Sequence, residues 1–184
     1  GQFSNVLYAK DILATLFMQA GNPIIAEKNG SFMSTLNQNN GQYDLGTILK
    51  FYTDFADPLK DVYSWNKSFS NSRDAFSAEN LAFYFGYASE LQSLVNKNPN
   101  QNFLVASMPQ IRNSSFKLTS AHVTGIAISS FSKNFNTAFT AANLMANGDF
   151  VSKFSTSLGV APARRDLLKN KPTDAFLPTF YSSA

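Results

Sequence analysis

Trp65, the only tryptophan, stands in a polar stretch, Tyr63-Ser-Trp-Asn-Lys-Ser-Phe-Ser-Asn-Ser72, with no apolar period that assigns it to a core. An indole in such a loop can stack on the apolar face of a ligand while nearby amides and hydroxyls bond its polar edge. It can equally pack locally. Asn71 and Ser72 beside it suit either a ligand contact or the cap of the next helix, which we assign to Ser72. Tyr87 is the second candidate, directly after the apolar run Leu81-Ala-Phe-Tyr-Phe85 and Gly86. In open α/β sheets, ligands settle beyond strand carboxyl ends and near helix N-termini. A ring there serves packing or binding. Ser89 and the amides after Gly86 could hydrogen-bond a hydroxyl, and Ser89 could instead cap the helix that follows.

Other chemistry finds few residues. The absence of cysteine removes disulfides, zinc–thiolate sites and thiol nucleophiles, and His122 is the sole histidine. Gly86-Tyr-Ala-Ser-Glu90 is not a nucleophile elbow, and no phosphate-cradling glycine motif occurs. Asp74 and Glu79 are close in sequence, but their spacing on a short helix does not converge them on one point, as a glycosidase pair requires. Arg164 and Arg165 read as a solvated pair. An enzyme is not expected, nor a cofactor or metal. Charged residues are only 15% of the 184, and the net charge of +3 is not gathered into runs. Nucleic acid is therefore not an expected partner.

Helical periodicity runs from Tyr8 to Ala20, ended by Gly21 and Pro23. Asp44 caps a second helix with Leu45, Ile48, Leu49, Tyr52 and Phe55 on one face, stopped by Asp57-Pro58. A short helix follows around Asp74 to Glu79, and another runs from Ser89 to about Asn96. Lys133 to Ala146 carries an apolar stripe, Asp149 caps a helix through Leu158 that Gly159 closes, and Thr173 to Tyr181 forms a last short helix. Three apolar runs read as buried strands: Leu81–Phe85, Asn102–Pro109 and His122–Ser129. Gly125 inside the third suggests a bulge or close backbone approach. Glu27 to Asn40 reads as polar loop. No run approaches a membrane span. Helices alternating with short apolar strands predict an α/β class with a mixed sheet.

The order of five stretches resembles the extracellular solute-binding proteins of bacterial ABC sugar importers, the maltose-binding-protein-like family. They are Asp11-Ile-Leu-Ala-Thr-Leu-Phe-Met-Gln-Ala-Gly21, Leu49-Lys-Phe-Tyr-Thr-Asp-Phe-Ala-Asp-Pro58, Asp74-Ala-Phe-Ser-Ala-Glu-Asn-Leu-Ala-Phe-Tyr-Phe-Gly-Tyr87, Gly125-Ile-Ala-Ile-Ser129 with Ser132-Lys-Asn134, and Leu158-Gly-Val-Ala-Pro-Ala-Arg-Arg-Asp166. The resemblance implies a two-lobe, type II periplasmic-binding-protein-like fold, present as a partial chain. Residues 1–118 would form most of the C-terminal lobe, 119–160 the segment recrossing to the N-terminal lobe, and 161–184 the return. The first lobe would lie upstream, with the leader and lipid anchor that provide the only membrane association. It implies a carbohydrate ligand, an ABC permease as partner, and a site outside the cytoplasmic membrane. Ligand contacts would come from Trp65, from Tyr87 or Tyr84 at the strand end, from Ser89 and Asn71, and from Asn5 and Tyr8 before the first helix. A structural or adhesive surface protein fits the Asn/Ser/Phe composition as the alternative.

Overall fold

A computed structural model describes residues 5–38, 41, 43–114 and 117–184. The chain divides into two compact units. One comprises Gly1–Gly86 with Met108–Ser120, the other Tyr87–Ser107 with Ala121–Ala184.

The first unit opens with helix α1, Ala9–Gln19. Its end follows from Gly21, whose φ of 85° is open to glycine without a Cβ penalty. Gly21 N–H donates to Met18 and Asn22 N–H to Phe17, the paired bonds of a Schellman stop. Asn22 is fully buried, donating to the Tyr43 carbonyl at 2.7 Å and accepting from Gly41 N–H at 3.0 Å. Gly41 lies so close that a Cβ there would meet the Ala20 carbonyl oxygen at 2.0 Å. Strands β1, Ile25–Lys28, and β2, Ser31–Ser34, pair antiparallel, with Ile25 opposite Ser34 and Lys28 opposite Ser31. Asn29 and Gly30 between them both have positive φ, at 54° and 75°, as a two-residue hairpin turn of the I′ kind demands. This corrects the loop expected from Glu27 onward; residues 39 and 40 of that stretch lie outside the described residues.

Helix α2, Leu45–Asp54, begins where expected. The Asp44 carboxylate accepts from the Thr47 amide and hydroxyl, both at 2.8 Å, which lowers its pKa. Ile48 is buried, while Leu49 and Phe51 are exposed. The short α3, Ser72–Ser77, is capped by Asn71, whose side chain accepts from Arg73 N–H at 3.0 Å. The cap expected at Ser72 is thus one residue earlier. The segment 108–120 returns to α1. Gln19 donates both amide protons, to the carbonyls of Pro109 (3.0 Å) and Leu118 (2.9 Å). The hydroxyls of Thr15 and Ser120 are also bonded to each other. Thr15 and Gln19 are each 1% exposed, so these bonds form away from water, where an unmade bond is most costly.

The second unit contains α4, Leu91–Lys97, α5, Phe135–Ala146, α6, Gly148–Leu158, and α7, Leu177–Ser183. Asn147 separates α5 from α6 and caps the latter through Phe150 N–H at 2.8 Å. It holds the role expected of Asp149, which lies in the first turn. Gly159, at φ 64°, closes α6, with Gly159 and Val160 amides returning to Thr156 and Ser155. Arg164 grips Asp166 through Nε (3.1 Å) and Nη2 (2.9 Å), while Nη1 donates to the Ala146 carbonyl at the end of α5. Helix α7 starts where expected in kind but later, because the Asp174 carboxylate accepts from both Phe176 and Leu177 amides.

The runs Leu81–Phe85, Asn102–Pro109 and His122–Ser129 form no strand. The hairpin β1–β2 is the only sheet among the described residues, so the mixed sheet is not seen there. A strand exists only when a neighbour takes its amides and carbonyls, and these runs find no ladder partner among the described residues. Gly125 correspondingly has nothing within 4 Å of an added Cβ, so the close approach expected of it is absent. Several large apolar side chains on these runs face solvent, including Phe83, Leu104 and Val123.

Candidate functional site

Trp65 is placed by two layers of hydrogen bonds in the first unit. The Phe55 carbonyl at the end of α2 accepts from the amides of Ser64 (2.9 Å) and Trp65 (3.0 Å), which turns the loop back on the helix. The indole N–H then donates to Asn5 Oδ1 at 2.9 Å. Asn5 is buried, and its Nδ2 donates to the carbonyls of Asn66 (2.8 Å) and Phe69 (3.1 Å). Its own carbonyl accepts from Ser72 N–H at 2.8 Å, and Ser72 Oγ accepts from Leu7 N–H at 3.2 Å. One asparagine thus ties the chain before α1 to the tryptophan loop and to the start of α3. Phe69 meets the indole edge-on, with centroids 5.3 Å apart.

The half-buried indole lines a recess of about 120 Å³, with Val6, Ile12, Leu81 and the aromatic run Phe83-Tyr84-Phe85 around it. Tyr84 is backed by Phe76 in a stacked pair at 5.6 Å. The lining carries no charged side chain. At this size the recess is well below the roughly 300 Å³ at which ligand pockets begin. It is an aromatic wall. Such a wall can hold the apolar face of a neutral ligand; it offers no acid–base pair and no anchor for an anion.

The other expected contacts fall elsewhere. Asn71 caps α3, and Tyr8 stands at the N-cap of α1, where its carbonyl accepts from Ile12 N–H at 2.8 Å. Asn5 is directed at protein groups, as the hub that fixes Trp65. Tyr87 and Ser89 belong to the second unit. Tyr87 stacks on His122, with centroids 4.6 Å apart and planes 20° apart, and its amide donates to Glu90 Oε2 at 3.2 Å. Ser89 is exposed within a single 3-10 turn, Ala88–Glu90, and α4 starts from Glu90 without a side-chain cap. The capping role considered for Ser89 is therefore not taken.

Val6, Ile12 and Phe83 were not among the expected contacts. Only the 81–85 run held a readable signal, as an aromatic cluster between polar segments. Among the described residues, no three His, Asp or Glu side chains gather as a metal site, and no helix is long and apolar enough to cross a membrane. No protein-family model, curated protein or solved structure matches the chain.

Proposed function

We propose that this chain belongs to a substrate-binding subunit of an ABC importer and supplies an aromatic wall against which a carbohydrate stacks. One observation carries the reading: Trp65, in a polar loop, is fixed by Asn5 yet keeps part of its ring open over an uncharged recess. A pyranose has apolar faces and a hydroxyl rim, which suits an indole better than it suits a charged cleft. On this reading the fold is the type II two-lobe fold, and a second lobe closes over the ring. Ligand favours the closed form, which the permease receives. The subunit works outside the cytoplasmic membrane, held by a lipid anchor, and performs no covalent chemistry. Calorimetric titration of the two-lobe protein with a panel of mono- and oligosaccharides should show saturable binding of at least one sugar, which Trp65→Ala weakens. The isolated chain, lacking the other wall, should bind weakly or not at all. No binding across the panel, or an affinity that Trp65→Ala leaves unchanged, overturns the reading.

A second reading, a structural or adhesive surface protein, is favoured by the amount of large apolar surface in solvent. Phe131 is 93% exposed and Leu59 91%, with Phe83, Leu104 and Val123 each above 80%. The sugar titration separates the two, since the second reading requires no response.

A further inference from the structure

The second unit holds a larger recess of its own, about 270 Å³, between α6, the segment after Gly159 and α7. Two of its features bear on chemistry. Its apolar side includes Leu167 and Leu177 together with the Tyr181 ring. Its polar side carries the Thr156 hydroxyl, the Asn170 amide and the Tyr181 hydroxyl, none of which takes a hydrogen-bond partner among the described residues. Ser155 on the same recess differs: it is buried and its hydroxyl is already given to the Val151 carbonyl at 2.6 Å. The polar groups that remain are the Asn170 side-chain amide and three hydroxyls, those of Thr156, Tyr181 and the exposed Ser152, set around an apolar patch.

The geometry points to a second binding site here, for a small neutral polyol of about one sugar ring. The volume is close to the lower end of ligand pockets. The lining includes no Asp, Glu, Lys or Arg, so nothing in it prefers an ion. An amide can bond two adjacent hydroxyls at once, and the Tyr181 ring with its leucine neighbours covers an apolar ring face. Thr156 and Asn170 are exposed and bond water in the free chain, so a ligand seated here must replace that water with its own hydroxyls, which a purely apolar ligand cannot do. The site lies wholly in the second unit and does not depend on the role given to Trp65.

Saturation-transfer NMR on the whole chain, with glucose, myo-inositol and glycerol as probes, tests it. At least one probe should receive saturation, and a titration into the millimolar range should shift Tyr181 ring resonances. Asn170→Ala and Tyr181→Phe should each weaken that binding about tenfold, while Trp65→Ala leaves it unchanged. Melting temperatures equal to the parent chain's show that both variants fold; the Tyr181 shift on the unaltered chain stands apart from either variant. No saturation of any probe overturns the proposal, as does unaltered binding in both variants. Loss of binding in Trp65→Ala also overturns it and moves the polyol to the first unit.

Discussion

The indole nitrogen of Trp65 lies 2.9 Å from the side-chain oxygen of Asn5, sixty residues earlier in the chain. Asn5 uses its other atoms on the Asn66 and Phe69 carbonyls, so a single buried amide sets the position of the whole tryptophan loop. Asn5→Ala leaves the indole N–H and two loop carbonyls without their partner. The expected cost is about 2 kcal/mol, with a red shift of Trp65 emission as the loop loosens. Urea denaturation followed by that emission measures both. An unshifted spectrum would mean that packing against Phe69 alone holds the ring.

Gln19 performs a similar task for the segment 108–120. Replacing it by Leu keeps its approximate bulk but deprives the Pro109 and Leu118 carbonyls of their donor. We expect a loss of about 2–3 kcal/mol. Amide exchange and limited proteolysis should show the segment opening before α1 melts.

Tyr52 presents the opposite case. Its hydroxyl is buried with no hydrogen-bond partner among the described residues, and burial raises its pKa above the ordinary 10.0. Tyr52→Phe removes an unsatisfied group and should leave stability unchanged or improve it by up to about 1 kcal/mol. The pH dependence has a definite sign. Below pH 10 both folded and unfolded chains keep the phenol neutral. Above it, the unfolded chain loses the proton first, and stability falls until the raised folded value is passed. Urea midpoints taken from about pH 9 to 11 should fall less steeply for the phenylalanine variant.

At the acid end, Asp174 should titrate below 3.8, because the Leu177 and Phe176 amides bond its ionised form. A depressed folded pKa means that the contribution is present above the unfolded value and lost as pH falls through the folded one. Carboxyl-carbon NMR gives the midpoint directly. Asp174→Ala should fray the first turn of α7, seen as faster amide exchange at Phe176 and Leu177.

Two glycines should behave differently. Gly41→Ala drives a methyl into the Ala20 carbonyl and should destabilise by roughly 2 kcal/mol or more. Gly125→Ala meets open space and should stay within about 0.5 kcal/mol. Thermal melts of the pair decide it.

Helix stops and starts were legible where local chemistry alone fixes them. Gly21 and Gly159 end helices because only their backbone tolerates the left-handed turn, and Asp44 starts one because its carboxylate reaches the Thr47 amide. Caps shifted by a residue or two where neighbouring side chains compete: Asn71 displaces Ser72, and Asn147 displaces Asp149. The hairpin was written in Asn29-Gly30, but its strands set their apolar residues side by side, Ile25-Ala26 and Phe32-Met33, without the alternation that would have flagged it. The apolar runs failed as strands for another reason: an apolar pattern specifies burial, while a strand also needs a partner's backbone. At the candidate site, Trp65 stood out as a large ring in polar surroundings. The partnership with Asn5 is tertiary and leaves no mark in either residue's neighbourhood.

Gln19 and the Leu118 carbonyl are 99 positions apart, and the second unit's segment 87–107 is strung between them. A ribosome adding about 5–20 residues per second needs roughly 5–20 s to cover that interval. Throughout it, α1 can coil but its buried amide has only water to bond. The first unit therefore cannot finish folding in the order in which it is synthesised. Its last staple arrives only after segment 87–107 of its sibling has emerged, and ahead of the larger part, 121–184.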